Sequence, residues 1–170
     1  IGFRTQSEAN SPEYYPLVVY NGILGGRVQS KLFQNVREKE SLAYSAFLSI
    51  EKFKGLLVAV SGIEISERER AERIILDQFR AIENGDISDF EMEASKKSIV
   101  TGLKSMQDSQ GSMVDFYLSQ HLSGANENVD SFIDKITAVT VEDVVNVSKK
   151  LTLDTVYFLT SLSGEGERRE

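Results

Sequence analysis

The sequence predicts an α+β domain: a small, mostly antiparallel sheet with helices packed on one face. Three observations carry that prediction. Two consecutive strand patterns, Ala43–Glu51 and Leu56–Gly62, flank a short loop, Lys52-Phe53-Lys54-Gly55. A run of helical patterns then fills the chain from Ser66 to Leu151. Finally, β-rich segments stand at both ends, Ile1–Gln6 and Thr155–Thr160.

In chain order, Ile1–Gln6 is short and reads as an edge strand. Ser11-Pro12 reads as a helix start, with serine at the N-cap and proline at the first helical position. That helix carries Tyr15, Leu17, Val18, Val19, Tyr20, Ile23 and Leu24, so it is expected to be buried on most sides. Gly25-Gly26 forms the hinge that ends it, and a short helix from about Val28 to Glu38 follows. In the first hairpin strand Tyr44, Ala46, Leu48 and Ile50 alternate with Ser45, Phe47 and Ser49, which predicts one apolar face. The second strand is apolar on both faces and is expected to be central.

Ser66 and Glu69 have capping-box spacing ahead of Ala71, Ile74, Ile75, Phe79 and Ile82, which repeat at three and four. Asn84-Gly85 stops that helix, and Ser88 with Glu91 opens a long one to about Gln107. Further helices are expected over Gly111–Leu122, Val129–Ile136, and after a cap at Thr140. The domain is expected to span 1–163, with 164–170 a polar tail or linker stub.

The totals exclude several classes. The 170 residues are enough for one self-sufficient core. No cysteine is present, so disulfides and thiolate metal sites are excluded, and a cytoplasmic location is the expectation. No apolar run approaches the roughly 20 residues that cross a bilayer. The chain opens at Ile1 without methionine and is expected to be a piece of a longer protein. The net charge of 19 − 26 = −7, with dispersed basic residues, argues against nucleic acid and anionic membrane as partners.

Chemistry-bearing motifs are few. Gly25-Gly26 lacks the Gly-Lys-Ser/Thr ending of a phosphate loop. His121 is the single histidine, and neither His-Glu-x-x-His nor His-x-x-Glu-His occurs, so no metal site is expected in this chain. No serine stands in a Gly-x-Ser-x-Gly elbow. Asp86, Asp89, Glu91 and Glu93 surround a helix start, where they favour the helix dipole. Arg37 and Tyr44 remain, seven positions apart at one end of the hairpin. Such a pair suits holding a peptide and stabilising an oxyanion. From spacing alone the favoured reading is that Arg37 pairs with Glu38, Glu40 or Asp77 and that Tyr44 is an ordinary strand aromatic.

The stretch Leu24-Gly25-Gly26, Ser30 to Lys39 and Leu42-Ala43-Tyr44-Ser45 resembles the C-terminal-domain signature of the insulinase/pitrilysin zinc peptidases, which include processing peptidases. Weaker resemblance covers Ile1–Thr5, Phe90–Lys97 and Thr140–Val144. It implies a substrate-holding domain paired with a second similar domain and with a homologous partner subunit. Zinc is then expected on the missing N-terminal domain or on a partner. Arg37 would anchor a carbonyl of a peptide or unfolded polypeptide, and Tyr44 would donate to the oxyanion. A non-catalytic interaction subunit is the alternative. Glu40-Ser41 and Arg27-Val28-Gln29 depart from the common pattern without touching Arg37 or Tyr44.

Overall fold

The apolar run after Pro12 becomes a central helix in the computed structural model, which describes residues 1–7, 10–25, 28–40 and 42–160, with backbone alone at Glu38 and Lys39. This helix, α1 (Tyr14–Leu24), buries Leu17, Val19, Tyr20, Ile23 and Leu24 and leaves no residue fully exposed. Its start differs from expectation. The Ser11 carbonyl accepts a hydrogen bond from Tyr14 N–H at 3.1 Å, and Glu13 takes the N-cap position with no side-chain bond. Serine followed by proline is also the opening of a β-turn, and here a turn leads into the helix.

Four strands, β1 (Gly2–Arg4), β2 (Ala43–Glu51), β3 (Leu56–Ile63) and β4 (Thr152–Thr155), pair antiparallel in the order β2-β3-β1-β4. The hairpin is as expected, with Gly55 closing its loop at φ +60. β3 is an inner strand as its composition predicts. β1 is also inner, not an edge. Phe3 faces Leu57 on one side and Leu153 on the other, and its ring stacks on Phe79 with centroids 4.2 Å apart. Three residues were too few to show this alternation in the sequence.

The closing strand is shifted. It pairs over Thr152–Thr155 instead of Thr155–Thr160, because its ladder with β1 ends where Gly2 meets Thr155.

The helices cover one face of the sheet. α2 (Arg68–Glu83) packs through Ala71, Ile75, Phe79 and Ile82. Ser66 lies in a 3₁₀ turn, Ile65–Glu67, so the expected Ser66–Glu69 box does not form and Glu67 is the N-cap without a side-chain bond. The other two helix starts hold. In α3 (Asp89–Met106) Ser88 and Glu91 form a reciprocal box, and in α6 (Val141–Ser148) Thr140 forms one with Asp143. Asn84 ends α2, with Gly85 at φ +81. α4 (Gln110–Leu122) and α5 (Val129–Ala138) complete the layer, each capped by a side chain, from Ser109 and Asn128. Tyr20, Ile23 and Leu24 join Phe3, Leu48, Leu57, Phe79 and Val144 in one buried cluster. Each such side chain contributes about 1.5–3 kcal/mol by leaving water. On the opposite face of the sheet the paired Phe47 and Val60 stay exposed. The expected tail, 164–170, lies outside the described residues.

Candidate functional site

The site is built around the start of β2. Gly25 has φ −147, an extended conformation open to any residue, so the hinge does not need glycine for its backbone angle. It needs the missing side chain. A Cβ on Gly25 would stand 2.3 Å from Leu48 Cβ, and Leu48 N–H donates to the Gly25 carbonyl at 3.3 Å. Glycine therefore lets α1 press its end against the middle of β2. Gly26, the other hinge residue, lies outside the described residues.

The following segment is anchored at its beginning. The Ser30 hydroxyl accepts from Phe33 N–H at 3.4 Å, as an N-cap does. Lys31 is buried and places its ammonium 2.9 Å from Glu91 Oε1 and 3.9 Å from Asp86. Burial disfavours the Glu91 carboxylate. The Ser88 backbone N–H, Lys31 and the Ser88 hydroxyl together outweigh that and hold its pKa below the usual value.

The expected short helix then widens into a π-helix over Phe33–Lys39. Such widened turns recur at functional sites. Arg37 lies in it, exposed, with its guanidinium carbon 4.6 Å from the centroid of the Phe33 ring. The partners weighed for it go elsewhere. Glu40 pairs with Arg70 and Asp77 with Arg80, while the Glu38 side chain is outside the described set. Among the described residues Arg37 makes no ion pair.

Leu42 N–H returns to the Val36 carbonyl at 3.1 Å and leads into β2. Here a β-bulge intervenes. Ala43 pairs with Ile63 and Ser45 with Gly62, so Tyr44 is the extra residue on β2. Tyr44 therefore leaves the apolar face on which its alternation with Ala46 and Leu48 places it. Ala43 is buried in its stead, and Tyr44 is 77% exposed. Its hydroxyl donates to Glu64 Oε1 at 3.2 Å. Arg37 and Tyr44 thus emerge from adjoining elements at one end of the sheet, without a hydrogen bond to each other.

Sequence reasoning missed Lys31, Glu64 and Arg70. A lysine beside Leu32 and Phe33 signals a buried cation, but its partner is sixty positions away and only packing reveals it. Glu40, an acidic departure from the family pattern, is neutralised by Arg70.

His121 is exposed on α4. Among the described residues no group of three or more His, Cys, Asp or Glu is placed to hold a metal ion. The donor set of the described residues, with one exposed histidine and no cysteine, does not fit a catalytic zinc. Among the described residues no helix is long and apolar enough to cross a membrane.

Residues 1–99 match the family model described as the peptidase M16 inactive domain. The chain belongs to that family. Among curated relatives, the Bacillus subtilis "Probable inactive metalloprotease YmfF" is 40% identical over 96% of this chain and 38% of its own length. The Bacillus subtilis "Uncharacterized zinc protease YmxG" is 29% identical over 92% of this chain and 39% of its own. This M16 domain thus spans less than two-fifths of the curated relatives it matches. A solved structure of a conserved protein from Enterococcus faecalis V583 superposes with TM-score 0.83 at 32% identity, covering 88% of this chain and 36% of that one. The α+β architecture of this M16 domain is shared with that structure.

Proposed function

We propose that this M16 domain holds extended polypeptide for a zinc-peptidase-like protein, supplying Arg37 and Tyr44 to a reaction centred on another domain or subunit. The observation that carries the reading is the bulge at Tyr44. It turns an aromatic hydroxyl out of the core, next to the element that bears an arginine with no ion pair among the described residues. The rigid donor fork of Arg37 suits a backbone carbonyl of an extended peptide. The Tyr44 hydroxyl, released from Glu64, donates to the carbonyl oxygen on which negative charge develops. The hydrolytic water, and any zinc that activates it, belong outside this domain. A second similar domain and a homologous subunit complete the arrangement, and a peptide or unfolded segment is the substrate.

A second reading has its own support, since a relative 40% identical carries a name that calls it inactive. On that reading the parent binds a peptide or partner without cleaving it.

Tyr44→Phe in the full-length protein, assembled with its zinc-bearing domain or partner, tests the first reading. Turnover of an unfolded polypeptide is expected to fall about tenfold or more in kcat with little change in KM. Unchanged turnover removes Tyr44 from the chemistry. Peptide binding with no hydrolysis under any pairing supports the second reading.

A further inference from the structure

The helix α4 packs inside out. Its exposed side carries Val114, Tyr117, Leu118 and Leu122, while Phe116, Ser119, Gln120 and the C-cap Ser123 lie toward the domain. What it buries is a polar residue, Gln120. By contrast α5, at 10 residues against 13, buries Val129, Phe132 and Ile136. A largely polar inner face gives little hydrophobic hold. A helix of 13 residues is also marginal in water by itself, so the order of α4 depends on what it touches.

Phe116 is its apolar anchor, meeting the Phe132 ring of α5 edge-on with centroids 6.0 Å apart. The other hold is a lysine. Lys52, in the hairpin loop, places its ammonium 4.8 Å from the centre of the Tyr14 ring on α1 and 5.8 Å from that of Phe53. The same ammonium donates to the Ser119 hydroxyl at 3.5 Å and to the Ser123 hydroxyl at 3.3 Å. The Ser123 hydroxyl donates back to the Ser119 and Gln120 carbonyls, which leaves its oxygen to accept from Lys52. Among the described residues Lys52 makes no ion pair, so the hydroxyls of α4 and the aromatic faces are what hold its charge. One cation thus joins the hairpin, α1 and α4.

We infer that α4 is a strap latched by Lys52, which undocks as a unit at far lower cost than unfolding of the domain. Tyr14 and Phe132 stand edge to face with centroids 6.3 Å apart, so release of α4 uncovers an aromatic patch between α1 and α5. The inference is independent of the roles of Arg37 and Tyr44.

Native-state hydrogen exchange read by mass spectrometry tests it on the chain as it stands. Amides of α4 beyond its first turn are expected to exchange roughly tenfold or more faster than those of α5 and α6. Lys52→Gln is expected to speed exchange in α4 by a further factor of about five, with α2 and α6 unchanged. Protection of α4 equal to that of α5 overturns the strap. A Lys52→Gln protein that exchanges like the parent at α4 overturns the latch. Acceleration of α2 and α6 by the same factor as α4 also overturns it, since the lysine then holds the whole domain together.

Discussion

Lys31 Nζ stands 2.9 Å from Glu91 Oε1 and ties the beginning of the Arg37 segment to the cap of α3. The side chains are only 8% and 19% exposed, so water screens the pair weakly. Glu91 serves twice, accepting from Ser88 N–H at 2.9 Å as the far half of the capping box. Each charge is therefore held by the other, and the Glu91 carboxylate by the backbone as well. Removing one leaves the other poorly compensated.

Lys31→Met is expected to destabilise the domain by about 2 kcal/mol or more, as breaking a mostly buried pair does. The double variant Lys31→Met/Glu91→Leu should recover part of that loss by removing the stranded carboxylate as well. Urea denaturation of the single and double variants checks both outcomes.

The same pair sets a pH dependence. The pKa of Glu91 is lowered from 4.5 in the folded protein, so its contribution is complete above the unfolded value and is lost as pH falls through the folded one. Glu91→Gln is therefore expected to cost stability at neutral pH and progressively less below about pH 4.5. A constant difference from pH 7 to pH 3 would show that the charge contributes nothing.

Gly25→Ala is expected to destabilise by about 1–3 kcal/mol, because a new methyl would overlap Leu48 Cβ at 2.3 Å and Leu48 N at 2.7 Å. A melting curve measures it. In a Leu48→Gly background, which lacks the Cβ, Gly25→Ala should cost less than in the parent protein, which a requirement based on backbone angle would not predict.

Arg37→Lys keeps the charge and loses the planar fork. Weaker binding of an unfolded polypeptide, by roughly tenfold, is expected with thermal stability unchanged, since Arg37 is exposed and in no ion pair among the described residues. Equal affinity of the two proteins, read by titration calorimetry, would take Arg37 out of substrate holding.

What the sequence determined by itself is local. The boxes at Ser88–Glu91 and Thr140–Asp143, the stop at Asn84-Gly85, the Lys52–Gly55 hairpin and the buried course of α1 all follow from side chains acting within a few residues of themselves. Local signals also misled where two short-range structures share one signature, as at Ser11-Pro12 and Ser66–Glu69. The peptidase-like family was legible too. Tertiary structure alone decided the inner place of β1, the shift of β4, the bulge that exposes Tyr44, and the partners Glu91, Glu64 and Arg70. Each of those depends on which distant strand or helix supplies the next hydrogen bond, charge or apolar surface, and no local pattern encodes the distant partner.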